Sequence, residues 1–88
     1  MKLLHKWAQA TPACFIRKNY KTEKSKATVY PTTSDGKGKW RYRIEMSDGK
    51  PLTKIVDSKE EGQKIVDEIL RLDGWKFLDD DKLNILLD

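Results

Sequence analysis

Cysteine, histidine and long apolar runs are scarce in this chain of 88 residues. Cys14 is the only cysteine, so no intramolecular disulfide can form, and a reducing compartment is expected. His5 is the only histidine, so the sequence indicates neither a zinc-ligand set nor a Cys–His pair with a third, orienting group. The three aspartates at 79–81 are interpreted as a solvated acidic turn, since a Mg²⁺ site usually draws ligands from several elements. The sequence therefore predicts no enzymatic activity, no cofactor, no metal and no small-molecule substrate.

Membrane and secretory signals are missing as well. No apolar run approaches the roughly 18 residues of a transmembrane helix. The apolar N-terminal stretch is interrupted by His5 and Lys6, well short of the hydrophobic core of a signal peptide. We therefore expect a cytoplasmic protein without a membrane partner.

Charged and aromatic residues are what the chain does contain. Charged residues make up 36% of the sequence, above an average of about 25%, and three Trp, three Tyr and two Phe argue against disorder. The length allows one domain. Within it we distinguish an N-terminal segment without a clear pattern (1–25), a hairpin–helix core (26–78) and a C-terminal segment (79–88).

The net charge of +4 is unevenly distributed along the chain. Residues 1–43 hold eleven Lys and Arg and two acids, a net charge of +9. Residues 44–88 hold seven Lys and Arg and twelve acids, a net charge of −5. Like charges gathered in one region create a field that a balanced surface lacks, so anionic partners come into consideration.

Strand signals dominate the middle of the chain. The segment 26–33 is predicted to be a strand, and Pro31 places it at a sheet edge or at its own end, because proline cannot donate to a ladder. Residues 39–46 alternate strictly between apolar and charged side chains. Asp48-Gly49 then predicts a hairpin turn into a further strand at 51–57.

A helical period follows the hairpin. Ser58 and Glu61 have the spacing of a capping box, and Gly74 after Asp73 predicts the end of the helix. The predicted apolar stripe consists of Ile65, Val66, Ile69, Leu70 and Leu72. The predicted solvent-exposed side consists of Glu60, Glu61, Lys64, Asp67, Glu68 and Arg71. Beyond the helix, Trp75, Phe77 and Leu78 are expected to fold back onto the core.

The two ends of the chain carry weaker signals. Residues 1–10 are predicted to form a short helix ended by Pro12, and residues 13–20 a short strand. For 79–88, a helical turn and an edge strand both stay open. The whole pattern predicts an α+β fold, in which a small antiparallel sheet of three to four strands carries one main helix on one face.

The strand at 39–46 separates two kinds of side chain. Its alternation places Trp40, Tyr42, Ile44 and Met46 on one face and Lys39, Arg41, Arg43 and Glu45 on the other. Burying unpartnered arginines would cost several kcal/mol each, whereas burying a large apolar residue gains roughly 1.5–3 kcal/mol. We therefore expect the apolar set to face the helix and the arginines to face solvent. Trp40 and Tyr42 are then not available as a stacking platform for single strands.

A basic patch follows from this orientation. If Ile55 faces inward, Lys54 joins the two arginines on the open sheet face. The candidate nucleic-acid-binding residues are then Lys26, Lys37, Lys39, Arg41, Arg43 and Lys54. Lysines suit phosphates, and arginine can contact guanine edges in the major groove, which admits a β-ribbon. The leading hypothesis is a non-enzymatic module that binds double-stranded DNA.

Two alternatives stay open. Lys and Arg are ordinary on the solvated face of an antiparallel sheet, where they also discourage edge pairing, so the patch need not bind anything. The patch also fits an acidic protein partner. In that case the chain is a small protein-interaction factor, such as a phage-type inhibitor of a host enzyme, with no nucleic-acid binding of its own.

Residues 38–70 also resemble a known family. The stretch GKWRYRIEMSDGKPLTKIVDSKEEGQKIVDEI is similar to the N-terminal arm-site-binding domain of phage-type tyrosine integrases. The matching positions are Trp40 and Tyr42 in the core, Arg43 on the exposed strand, the turn at 48–50 and the helix start at 58–61. The resemblance implies a three-stranded sheet laid in the DNA major groove and backed by one helix. Since no catalytic domain follows in the sequence, we expect an accessory or regulatory protein of a phage or mobile element.

Overall fold

The computed structural model describes residues 2–32 and 38–78. Its elements in chain order are β1 (Leu3–Leu4), β2 (Ala8–Thr11), β3 (Cys14–Lys18), β4 (Ser25–Pro31), β5 (Trp40–Glu45), β6 (Pro51–Val56), α1 (Lys59–Leu72) and β7 (Lys76–Phe77). Within these two ranges, no helix combines the length and the apolar character that a bilayer crossing requires.

Two sheets organise the described residues. The larger sheet is antiparallel, with five strands in the order β2-β3-β4-β5-β6, and β1 and β7 form a short parallel pair. Helix α1 packs across β4, β5 and β6. The predicted α+β class is confirmed. The prediction of three to four strands is too low, because β2 is absent from it and lies largely within residues 1–10, for which a helix is expected.

The β5–β6 hairpin forms as predicted. Gly49 has a φ of +86°, the left-handed conformation that favours glycine, and its N–H donates to the Met46 carbonyl at 3.1 Å. The Asp48 carboxylate accepts a hydrogen bond from the Lys50 N–H at 2.9 Å. These contacts close the turn and set the register of the two strands.

Strand β4 lies in the middle of the sheet, between β3 and β5. Its ladder with β5 runs from Ala27 opposite Ile44 to Pro31 opposite Trp40. Of the two positions predicted for Pro31, the end of the strand is the one observed, because the strand stops at the residue that lacks a backbone donor.

Ser58 caps the N-terminus of α1 as predicted, but the Glu61 carboxylate bonds to the N–H of Asp57 and not to that of Ser58. The Ser58 hydroxyl accepts from the Glu61 N–H at 3.1 Å, and the Glu61 carboxylate accepts from the Asp57 N–H at 3.0 Å. Gly74, with a φ of +91°, follows the C-terminal end of the helix. In the first turn, Gly62 allows a close approach to the sheet. A Cβ at this position would lie 3.2 Å from the Val29 side chain.

The apolar stripe of α1 is narrower than predicted. Val66 and Leu70 are fully buried, and Ile65 and Ile69 pack partly buried against the core, whereas Leu72 is 90% exposed. Leu72 lies two residues after Leu70, about 200° around the helix, and so points away from the sheet. Its assignment to the stripe is wrong.

The predicted N-terminal helix is also wrong. Leu3 and Leu4 form β1 and are buried against β7. The Lys76 N–H donates to the Lys2 carbonyl at 2.8 Å, and the Leu78 N–H donates to the Leu4 carbonyl at 3.0 Å. The predicted strand at 13–20 is confirmed as β3, and the return of the chain onto the core after α1 is confirmed by Trp75 and Phe77, both buried. Residues 79–88, including the acidic run, lie outside the described residues.

A fully buried arginine joins β3 to α1. Arg17 donates from Nη1 to the His5 carbonyl at 3.0 Å, and its Nε lies 3.1 Å from Oδ1 of Asp67. The guanidinium carbon lies 3.8 Å from the ring centroid of Phe77 and 5.5 Å from that of Trp7. The prediction that Asp67 belongs to the solvent-exposed side is wrong, because its side chain is only 19% exposed.

Tyr42 is buried in the core, with 3% of its surface exposed. Burial raises the pKa of Tyr42 above its ordinary value of 10.0, because the ionised phenolate is poorly solvated there.

This pKa shift predicts a loss of stability at alkaline pH. Above about pH 10 the unfolded chain releases the Tyr42 proton while the folded chain retains it, so the free energy of unfolding falls as pH rises. Urea unfolding between about pH 9 and pH 11 is expected to show a shallower decline for Tyr42→Phe than for wild type. Tyr20→Phe, at an exposed position, is the control and keeps the wild-type slope. Equal slopes for Tyr42→Phe and wild type would contradict the prediction.

Candidate nucleic-acid interface

Strand β5 turns its aromatic and aliphatic side chains toward α1. Tyr42 and Ile44 are buried, and Trp40 is partly buried against the same core. Arg43 is exposed on the opposite side, and Arg41 is half-buried there. The predicted orientation of this strand is therefore confirmed.

We call the sheet surface opposite α1 the outer face. It consists of Ile16 of β3, Thr28 and Tyr30 of β4, Arg41, Arg43 and Glu45 of β5, and Thr53 and Ile55 of β6. Because α1 packs on the other side of the sheet, the outer face is open to solvent as far as the described elements are concerned. Two arginines against one carboxylate make this surface cationic.

Arg41 lies between two largely apolar neighbours. The antiparallel register places it opposite Tyr30 on one side and opposite Ile55 on the other. Ile55 is 41% exposed and adds apolar surface beside Arg41. A guanidinium group flanked in this way has apolar surface beside it that suits a partly apolar ligand such as a nucleotide base.

Arg43 lies between two threonines, Thr28 and Thr53. Its Nε is 2.8 Å from Oε1 of Glu45, and both side chains are 49% exposed. Such an exposed ion pair contributes only about 0–1 kcal/mol, so a phosphate group can replace the Glu45 carboxylate at little cost. The ion pair with Glu45 therefore lowers the affinity of Arg43 for a phosphate group but does not prevent Arg43 from binding one.

Lys39 lies directly before β5 and pairs with Asp57, directly after β6. The hydrogen bond to Asp57 and then the negative charge of that carboxylate raise the pKa of Lys39 above 10.5. The Lys39 ammonium, half exposed, thus stays protonated near neutral pH beside the two arginines. Asp57 offsets part of its charge.

Lys54 does not belong to the outer face. The register places Lys54 opposite Tyr42, on the side of α1, and gives the outer position to Ile55. Lys54 is a candidate residue only on the condition that Ile55 faces inward. Ile55 faces outward instead, so Lys54 is removed from the predicted patch. Lys54 remains exposed because β6 is an edge strand.

The ammonium group of Lys26 lies beside Trp75, a buried residue outside the outer face. Lys26 lies at a shift in the register between β3 and β4. Arg17 pairs with Ala27, but the next residue, Lys18, pairs with Ser25, so Lys26 has no partner residue on β3. This irregularity turns its ammonium group to the end of the sheet, where Nζ donates to the Glu45 carbonyl and lies 5.1 Å from the ring centroid of Trp75. The predicted placement of Lys26 in the patch is corrected accordingly. Lys37, the remaining candidate, lies outside the described residues.

The sequence interpretation missed the neutral side chains of the outer face. Thr28 and Tyr30 alternate with the buried Ala27 and Val29, so period-two alternation in β4 was a sufficient signal for both. Ile55 had no such signal. Lys54 and Ile55 are both exposed on the edge strand β6, and only the pairing of β6 with β5 assigns Ile55 to the outer face.

A separate cavity of about 430 Å³ lies beside the N-terminal strands. Its walls include His5 and Glu23, whose Nε2 and Oε1 atoms are 2.9 Å apart. Residues 2–32 and 38–78 contain no cluster of three or more His, Cys, Asp or Glu side chains that could hold a metal ion. The walls of the cavity also carry Lys6 and Lys18, on separate segments of the chain, whereas the outer face carries two arginines on one strand.

No protein-family model, curated protein or solved structure matches this chain. The physical character of the outer face therefore carries the functional argument.

Proposed function

We propose that this chain is a non-enzymatic DNA-binding module whose outer face contacts double-stranded DNA. The observation that carries the proposal is the placement of Arg41 and Arg43 on one strand of an open sheet face, opposite the helix. Lys39 adds a third cation at the rim of the same face. The resemblance of residues 38–70 to integrase arm-site domains supports the same function and favours an accessory or regulatory protein of a phage or mobile element.

The location of the arginines near a sheet edge supports a groove contact. Strand β5 is second from the edge, and β6 is the edge strand. The major groove, about 12 Å wide, admits a two-stranded ribbon, so the β5–β6 hairpin can enter it while the rest of the sheet stays outside. In that position arginine can contact guanine edges or phosphates, and Lys39 can neutralise a phosphate.

The test is a titration of labelled duplex DNA at two salt concentrations. Phosphate contacts release counterions, so the affinity is expected to fall steeply as salt is raised. Absence of binding at low salt would overturn the proposal.

Replacing Glu45 by glutamine is expected to strengthen duplex binding by a few fold. The substitution removes the carboxylate that occupies Arg43 and the only acid among the residues that define the outer face. Fluorescence anisotropy with wild type and Glu45→Gln at the same low salt measures the change. Glu68→Gln, on the exposed side of α1, makes the same change in net charge away from the sheet and is expected to have a smaller effect. Equal effects of the two substitutions would mean that duplex affinity depends on net charge alone, and this would contradict the prediction.

A second candidate function is an interaction with an acidic protein. The exposed Ile55 beside Arg41 favours it, because protein interfaces commonly combine apolar anchors with arginine. Under this alternative, the protein binds no duplex at low salt. A pull-down would capture one host protein, and Ile55→Asp would abolish the capture.

A further inference from the structure

We propose that the outer face also binds single-stranded DNA, with one unpaired base stacked on the ring of Tyr30. The inference rests on the proposed function, because the same two arginines would neutralise the phosphates of the strand. The proposed stacking site lies on a different part of the outer face, however. Tyr30 lies on β4, the central strand of five, whereas the arginines lie one strand nearer the edge.

The width of the sheet separates the two modes of binding. Neighbouring strands are about 4.8 Å apart, so five strands span roughly 19 Å, more than the roughly 12 Å of the major groove. The major groove of a duplex can therefore admit the β5–β6 edge but not the whole outer face. A single strand has no groove walls and can follow the sheet from its edge to its centre.

Tyr30 differs from the other aromatic residues near the surface. Tyr20 packs against His5, with ring centroids 4.9 Å apart, and the indole N–H groups of Trp7 and Trp75 donate to nearby aspartates. Among the described residues, the Tyr30 side chain takes part in no hydrogen bond or ring contact. A half-buried tyrosine on an open sheet face offers an aromatic ring to a base, and base stacking on such a ring is tolerant of sequence.

The neighbours of Tyr30 supply the other contacts that a nucleotide requires. Arg41 lies directly opposite Tyr30, with Cβ atoms of such pairs about 5 Å apart, and Arg43 lies on the diagonal at about 7–8 Å. Long arginine side chains at these separations reach the phosphates on either side of a base stacked on Tyr30. On the far side of Arg41, Ile55 offers apolar surface to a second base.

The test compares two ligands and three substitutions. A labelled oligonucleotide of about a dozen nucleotides and its duplex are titrated at the same low salt against wild type, Tyr30→Leu, Tyr30→Phe and Tyr20→Leu. Tyr30→Leu is expected to weaken single-strand binding about 5- to 100-fold, because the stacking surface is lost, and to leave duplex binding within about twofold. Tyr30→Phe keeps the ring and is expected to retain most of the single-strand affinity. Tyr20→Leu removes an exposed tyrosine outside the outer face and is expected to change neither affinity.

The possible failures are distinguishable. Duplex binding without single-strand binding, or single-strand binding that is equal in wild type and Tyr30→Leu, would overturn this inference and leave the proposed function intact. Absence of binding to both ligands would overturn both. Because Tyr30 lies on the face opposite α1, its replacement leaves the packing of the helix on the sheet unchanged.

Discussion

Replacing Asp67 by alanine is expected to destabilise the fold by about 3 kcal/mol. Arg17 has 0% exposure, and the Asp67 carboxylate lies 3.1 Å from its Nε. Removing one partner of a buried pair leaves a charge without solvation, which costs roughly 3–5 kcal/mol. We expect the lower end of this range because Asp67 retains 19% exposure. Asp67 also accepts from the Trp7 indole N–H at 3.2 Å, so the same substitution loosens the N-terminal segment.

Thermal and urea unfolding measure this effect. A loss of about 3 kcal/mol corresponds to a decrease in Tm of more than about 10 °C for a chain of this size. Glu68→Ala, one residue further along α1 and exposed, is the matched control and is expected to change stability by less than about 0.5 kcal/mol. If Asp67→Ala proved as mild as Glu68→Ala, other groups around Arg17 would have to balance its charge.

A paired substitution separates the effect of charge from that of packing. Arg17→Met with Asp67→Leu removes both charges and keeps much of the apolar volume, so it is expected to recover most of the stability lost in Asp67→Ala. The aromatic rings of Phe77 and Trp7, at 3.8 and 5.5 Å from the guanidinium carbon, provide apolar contacts for a methionine. The role of the ion pair would then be to connect β3 to α1 in one register.

The elements that could be predicted from the sequence are those whose signals are local. The alternation of β5, the Asp48-Gly49 turn and the Ser58–Glu61 capping box each depend on residues a few positions apart. Such signals are reliable because the backbone geometry that they require is formed by the same short segment. They sufficed for the hairpin, the helix and the orientation of Arg41 and Arg43.

The features that could not be predicted depend on partners distant in sequence. Leu3 and Leu4 are a strand because Lys76 and Phe77 pair with them, and nothing near the N-terminus indicates that partner. The burial of Asp67 on α1 depends in the same way on Arg17, which lies on β3, about 50 residues earlier in the chain. For the site, the alternation of β6 is ambiguous, so the choice between Lys54 and Ile55 as the outward residue required the register with β5.

The substitution of both Arg41 and Arg43 by alanine is expected to cause a large loss of duplex affinity. Each arginine that contacts a guanine edge contributes roughly 1–3 kcal/mol, so the joint removal of two such arginines weakens binding by at least about 30-fold. The slope of log affinity against log salt is expected to become shallower by about 0.9 for each phosphate that the variant no longer neutralises. The two side chains lie on the outer face, so the core of Tyr42 and Ile44 beneath them is unchanged.

Lysine substitutions at the same two positions test what the arginines contribute beyond charge. Arg41→Lys with Arg43→Lys keeps two cations but loses the planar fork, so it is expected to preserve the salt slope and to reduce preference among duplex sequences. Lys54→Ala with Lys64→Ala removes two exposed cations that lie on the α1 side of the molecule. This control lowers the net charge as much as the double arginine-to-alanine variant does, so binding driven by net charge alone would weaken equally in both. Binding through the outer face weakens strongly only when the arginines are removed, and an equal loss in the control would therefore contradict the proposed interface.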